Sequence, residues 1–290
     1  MTGHSERYGD TIFSHARDDE QERLDALCDV LDPVSFAALE ALPQRSVRHC
    51  LELAAGTGSV ARRLAERHPT AQVTATDLDL RFLDSSDHAN LEFVRHDVTC
   101  DRFPDASFDL IHARYLLHHI PERDRVLVDI ARWLAPGGHL VLEEPALFPL
   151  LSARDETYRK VSLGALAVLA QRIGTDCNEW PLGLTHKVVG CGLTDITLRI
   201  TCPTAAHDTP MGRFWRLTIQ HLGSAIIDLP GIRSGDISTV IDRLSRPGLI
   251  EPGMATMTVT ATKAPSSMLS ERRAAAFSTE CGERTRSDNS

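Results

Sequence analysis

Apolar positions along the chain follow two rhythms. Short runs rich in Val, Ile and Leu at 47–53, 72–76, 91–95, 108–112 and 139–143 read as strands. Between them, 59–68 and 124–134 carry apolar residues at helical spacing. Upstream, Leu24, Leu27, Cys28 and Leu31 mark a helix over 18–31. Asp32 and Pro33 then read as the N-cap and first turn of a second helix reaching Leu42. Two helices are therefore expected before the first strand. Pro136-Gly137-Gly138 reads as a turn.

The second half is more helical. A stripe runs through 152–173, and a shorter helix over 182–191 is stopped by Gly192. Residues 193–201 read as a strand, 203–249 as largely helical, and 254–262 as a final strand. From 264 to 290 the chain is polar and rich in Ser, Arg and Glu, the composition of a disordered tail. The expected organisation is an N-terminal helical segment (1–44), a main domain (45–263) with a helical cap inserted at about 203–250, and the tail.

Strands alternating with helices predict an α/β fold, a doubly wound, mostly parallel sheet. Such sheets bind ligands beyond the carboxyl ends of their strands, which makes the residues just after each strand the ones of interest.

Composition narrows the partners. The 290 residues carry 40 acids against 31 bases, a formal charge of −9, which disfavours nucleic acid, whose phosphates select basic surfaces. No apolar run reaches the ~20 residues of a membrane span. The N-terminus has no apolar signal core, so a cytoplasmic protein is expected. Cysteines are dispersed without a C-x-x-C pair, as expected for reduced thiols, and no His, Asp or Glu shows metal-ligand spacing. No metal is expected.

The first strand runs into Leu51-Glu52-Leu53-Ala54-Ala55-Gly56-Thr57-Gly58-Ser59. Gly56 and Gly58 allow a tight turn and close approach of a ligand, and the helix that follows aims free N–H groups at the same place. Gly56 to Ala61 also fits the dinucleotide pattern G-x-G-x-x-A. Asp77 closes the second strand, where an acid accepts from ribose hydroxyls in either a nicotinamide or an adenosylmethionine site. Glu52, beside the turn, would repel a pyrophosphate and suit a cationic ligand. Asp97, after the third strand, can accept from an adenine amine or act as a turn acid.

These blocks together resemble the class I S-adenosylmethionine-dependent methyltransferases. Five stretches match in order: 51–58, Thr76-Asp77-Leu78-Asp79, His96-Asp97-Val98, the run 103–111 and the run 134–142. Ala54 stands where that family usually has glycine. Arg81-Phe82-Leu83-Asp84 and Phe214-Trp215-Arg216-Leu217-Thr218 further resemble a bacterial group found in natural-product pathways. The resemblance implies a Rossmann-like seven-stranded sheet with an antiparallel last strand. It also implies S-adenosyl-L-methionine as cofactor and a small organic acceptor methylated at oxygen, nitrogen or carbon.

On that resemblance Ala54, Gly56 and Gly58 would meet the methionine moiety and Glu52 its ammonium. Asp77 would take the ribose and Leu78 a face of adenine. Asp97 and Val98 would meet the adenine edge, and Arg114 would reach the methionine carboxylate. For the chemistry, His118 and His119 follow the fourth strand and offer a base of suitable pKa, and Glu143 ends the fifth. Glu143 and Glu144 side by side also read as solvated acids. Aromatics outside the sheet blocks (Tyr8, Phe13, Tyr158, Trp180, Phe214, Trp215) either line an acceptor pocket or pack the cap. A cyclase, a decarboxylase or a non-catalytic subunit on the same fold, and a nicotinamide oxidoreductase, are the competing readings. A homodimer is compatible with the sequence.

Overall fold

The computed structural model describes residues 20–43, 45–83, 88–175 and 179–265. The predicted start of the first helix, the tail from 266, Tyr8, Phe13 and Asp84 lie outside them.

Among the described residues one helix, α1 (Glu20–Glu40), precedes the sheet, spanning the junction at which a second helix was expected to start. Pro33 sits inside it, although proline removes a backbone donor and crowds the preceding turn. Packing outweighs that cost. Ala26, Leu31, Ser35, Ala38 and Leu39 are buried on both sides of the proline. Asp32 serves as a side-chain partner instead of an N-cap, accepting from Ser59 Oγ and Arg114 Nη1, each at 2.8 Å.

The alternating part follows as β1 (His49–Leu53), α2 (Ser59–Arg67), β2 (Gln72–Asp77), β3 (Leu91–Arg95), β4 (Phe108–Arg114), α3 (Arg123–Trp133) and β5 (Leu134–Ala146). A 3-10 turn at Leu117–His119 follows β4. The Pro136-Gly137-Gly138 turn is absorbed into β5 as an irregularity, where the register slips between Phe108 and Leu110. Gly137, at φ +78°, supplies the left-handed residue this needs.

The predicted helix over 152–173 starts four residues later, as α5 (Glu156–Ile173) capped by Asp155 through the Tyr158 N–H, and a short α4 (Phe148–Leu151) precedes it. Next come α6 (Glu179–Leu182), α7 (Leu184–Gly190) and β6 (Leu193–Thr201). The stretch expected to be a helical cap opens with a short strand, β7 (Thr204–Ala206). It continues as α8 (Pro210–Ile227) and α9 (Ser234–Arg243), and β7 pairs with β8 (Ile250–Pro252). The last strand is β9 (Ala255–Lys263).

The main sheet has seven strands in the order β3-β2-β1-β4-β5-β9-β6, with β9 antiparallel to both of its neighbours. This is the Rossmann-like sheet expected from the sequence. Strand order reverses between β1 and β4, the switch point at which a crevice opens beyond the strand ends. Helices α1, α5, α8 and α9 form one apolar cluster over that crevice, including Val161, Leu169, Phe214, Trp215 and Leu222. Among the described residues no helix is long and apolar enough to cross a membrane.

Candidate functional site

A cavity of about 950 Å³ lies over the switch point. Its floor is the set of tips of β1, β2, β3 and β4, and its roof is formed by α1, α5 and α8.

The β1–α2 turn is built from left-handed residues. Gly56 and Gly58 have φ of +57° and +79°, and Ala54 has φ of 55°. Ala54 thus holds a conformation that suits the glycine expected there, at a cost of about 1–2 kcal/mol for a residue with a Cβ. A Cβ on Gly56 would meet nothing within 4 Å, so open space faces that backbone. A Cβ on Gly58 would come within 2.9 Å of Leu83 Cδ2, so this glycine serves close packing. Gly58 does not line the cavity; Ala54 and Gly56 do.

Asp77 ends β2 and joins the two sides of the site. Its Oδ2 accepts from the Gly56 N–H at 2.9 Å and its Oδ1 from the Asp79 N–H at 3.2 Å. Leu78 lies beside it, 39% exposed at the cavity wall. After β3, Asp97 accepts from Thr99 N–H and Oγ1 at 2.9 and 2.6 Å, an Asx turn that fixes the carboxylate on the wall next to buried Val98. His96 stacks on Phe103 with centroids 4.5 Å apart, and burial pushes its pKa down.

Glu52 and Glu143 do not line the cavity. Both are buried in a polar row that crosses the sheet beneath α1. The register aligns Glu52 with His112 and Glu143 with Thr258. His112 Nδ1 lies 2.7 Å from Glu52 Oε2, and its Nε2 lies 3.4 Å from Glu143 Oε2. Thr258 Oγ1 donates to Glu143 at 3.1 Å, and Ser35 of α1 donates to it from above. Burial pulls the His112 pKa down, but the Glu52 charge and hydrogen bonds to both carboxylates reverse this and hold it at about 9. Burial opposes ionisation of Glu143, yet His112 and Ser35 keep it below the usual range. The row sets His112 between Glu143, which its partners hold below the usual range, and Glu52, whose carboxyl burial pushes up against the pull of His112. The expectation that Glu143 and Glu144 are solvated acids is corrected here: both have 0% exposure.

Arg114 does line the cavity, but its guanidinium is engaged with α1, at 2.8 Å from Asp32 Oδ1, 3.1 Å from Ser35 Oγ and 3.6 Å from Cys28 Sγ. Its position ties the roof helix to the tip of β4.

His118 and His119 line the cavity beyond β4. Glu144 anchors this turn, accepting from the Leu117 and His118 N–H groups at 2.8 and 3.1 Å, with its Oε2 also 2.8 Å from His118 Nδ1. Burial pushes Glu144 up to about 8 and His118 down to about 3, so the pair is uncharged near neutrality. Burial also places His119 well below its ordinary value. Tyr115, at φ 53°, presents its ring edge to His118 and bonds Thr256 Oγ1 at 2.8 Å.

Of the aromatics, Phe214 and Trp215 line the cavity, whereas Tyr158 and Trp180 pack elsewhere. Tyr158 donates to Pro252 O and Trp180 to Asp124. Sequence reasoning missed His112, Tyr115 and the α1 face of Arg23, Leu24, Leu27 and Cys28. The signal for His112 was a histidine inside an otherwise apolar central strand. Among the described residues no cluster of His, Cys, Asp or Glu could hold a metal ion.

Residues 51–142 match a family model described as a methyltransferase domain. The 27-O-demethylrifamycin SV methyltransferase of Amycolatopsis mediterranei is 33% identical over 140 residues, 44% of this chain and 51% of its own length. The ubiquinone/menaquinone biosynthesis C-methyltransferase UbiE of Francisella tularensis is 29% identical over 141 residues, 45% of this chain and 55% of its own. The chain thus spans about half the length of the curated relatives it matches. Among solved structures, YcgJ of Bacillus subtilis superposes with a TM-score of 0.55 at 15% identity, covering 80% of this chain and 98% of that one. A phosphoethanolamine N-methyltransferase of Haemonchus contortus, solved with S-adenosylhomocysteine, gives 0.53 at 15% identity, with 88% and 60% covered. At such identities the likeness is one of fold.

Proposed function

We propose, from the match of residues 51–142 to a methyltransferase-domain model, that this chain is a class I S-adenosylmethionine-dependent enzyme that transfers a methyl group to an oxygen, nitrogen or carbon atom of a small, largely apolar acceptor in secondary metabolism. One observation carries the reading. A single cavity joins a polar wall of strand tips (Gly56, Asp77, Asp97) to an apolar wall from the roof (Leu24, Leu166, Leu169, Phe214). A polar nucleoside and an apolar acceptor require that division.

The residues present fit the cofactor. Gly56 leaves its backbone open, and Asp77 offers a carboxylate already oriented by two N–H groups. In this reading Asp77 takes the ribose hydroxyls, and Leu78 and Val98 flank adenine while Asp97 accepts from its amine. Ala54, Gly56 and Arg114 border the methionine end. Glu52 acts from beneath the floor, through the charged row, without contact. When bound, the cofactor supplies an electrophilic methyl group on a sulfonium.

The protein's remaining tasks are alignment and exclusion of water, and alignment alone is worth about 7–11 kcal/mol. The roof helices provide both. His118 and His119 line the acceptor end and orient the acceptor's nucleophile; Glu144 sets the pose of His118.

Calorimetry with S-adenosylhomocysteine, NAD and NADP in parallel tests the proposal. The expected result is binding of S-adenosylhomocysteine alone. Binding of a nicotinamide cofactor in its place would overturn the reading.

A further inference from the structure

The roof of the cavity contains two polar atoms that no described residue pairs. Trp215 Nε1 and Thr218 Oγ1 are both buried and have no hydrogen-bond partner among the described residues. Both residues line the cavity, and both are almost fully buried, at 0% and 2% exposure. They are three apart on α8, so their side chains share one helix face. Buried polar groups in proteins are nearly always paired, and an indole N–H or a hydroxyl left bare is a standing cost.

The chemistry of the two atoms specifies what would pair them. An indole N–H only donates, whereas a threonine hydroxyl donates or accepts. A group that satisfies both must therefore accept, as an oxygen does. Its charge follows from the same wall. Arg23 lines the cavity there, 5.5 Å from the Phe214 ring centroid. Its guanidinium is already matched by Glu20, through Nε at 2.9 Å and Nη2 at 2.6 Å. With that charge compensated, an ionised ligand gains little, and a neutral oxygen suits the site. The same cavity is also lined by Leu166, Leu169 and Met254, which favour an apolar skeleton.

We propose that Trp215 and Thr218 form an oxygen-recognition subsite in the acceptor half of the cavity, which selects an apolar acceptor carrying a neutral carbonyl oxygen. The inference rests on the methyltransferase reading for the word acceptor, but the subsite itself does not need it. An occupant reaches the two buried atoms by displacing the side chains that cover them, so the pairing forms on binding. The reacting atom of the acceptor faces the strand tips while the carbonyl is held under α8, which fixes the molecule at two points.

The test uses the full-length protein and two probes of nearly equal shape, 2-acetylnaphthalene and 2-isopropenylnaphthalene, titrated with and without S-adenosylhomocysteine. The ketone is expected to bind at least about tenfold more tightly, the difference of one good hydrogen bond. In protein labelled with ¹⁵N at the tryptophan indoles, the ketone should move the Trp215 resonance, assigned by its loss in Trp215→Phe, and the hydrocarbon should not. Trp215→Phe keeps an aromatic ring while removing the indole N–H, and Thr218→Val keeps the shape. Each is expected to erase most of the ketone's advantage while leaving S-adenosylhomocysteine affinity unchanged.

Equal affinities for the two probes, binding of neither, or an advantage that survives both substitutions overturns the subsite. Failure of S-adenosylhomocysteine to bind, with the ketone still preferred, overturns the methyltransferase reading and leaves the subsite standing.

Discussion

The two walls of the cavity are made by different means. The cofactor wall is built from backbone and short side chains at strand tips: a turn with three left-handed residues, Asp77 holding the Gly56 N–H, and Asp97 in its own Asx turn. Its geometry is fixed within two or three residues of a strand end. The acceptor wall is built from the sides of α1, α5 and α8, and its shape depends on how these helices pack over one another. A wall of the first kind is set by residues adjacent in the chain. A wall of the second kind changes with any residue on three helices. The buried row Glu52–His112–Glu143 couples the two, because Ser35 of the roof and the β1 strand beneath the turn both touch it.

The sharpest break of that coupling is His112→Ala. It leaves two carboxylates buried without their cation, and removing one partner of a buried ionic group costs about 3–5 kcal/mol. Urea denaturation should register a loss of that size; a loss under about 1 kcal/mol would mean that the row holds no fixed charge.

The wild-type protein should show the same coupling as a pH dependence. The folded pKa of His112 is raised from 6.5 to about 9, so its contribution is complete below about pH 6.5 and is lost as pH rises through about 9. Glu144, raised to about 8, adds a loss of the same sign because its buried carboxyl disfavours ionisation. Above about pH 8, where the histidines that burial keeps neutral bind no proton in either state, stability should therefore fall towards pH 10, and His112→Ala should flatten that fall.

At the strand tips alone, Asp77→Ala removes the proposed ribose acceptor and the brace on Gly56 together. Two hydrogen bonds to a charged group are worth about 3 kcal/mol, so the Kd for S-adenosylhomocysteine should rise by roughly 100-fold in calorimetry. An unchanged Kd would remove Asp77 from the site.

The smallest expected effect sharpens the backbone argument. Ala54→Gly relieves the left-handed strain at φ 55° but frees the unfolded chain, leaving a net gain of about 0.5 kcal/mol in thermal unfolding. S-adenosylhomocysteine should bind the variant at least as tightly as the wild type. A destabilised variant would mean that the Ala54 methyl packs usefully.

The difference between the walls also explains which residues could be read from the sequence. The strands, the glycine turn, Asp77 and Asp97 were legible because period, turn chemistry and position after a strand are local properties. Gly58 was legible as a required glycine, though its reason is Leu83 and not a ligand. Glu52 and Glu143 were found as strand-end acids but assigned to the wrong surface, since side-chain facing along a strand end depends on register with the next strand. The break expected at Pro33 did not occur, because local propensity yielded to the burial of both halves of α1.

The sequence by itself determined the α/β order, the parallel sheet and which strand tips border the cavity, all of which follow from periodicity and from residues adjacent in the chain. Only the tertiary structure decided that His112 lies between Glu52 and Glu143, that Arg114 is held by Asp32, and that Trp215 and Thr218 face a cavity with unmet hydrogen bonds. Those pairings join residues far apart in sequence, and each depends on the burial and register that the assembled sheet and roof impose.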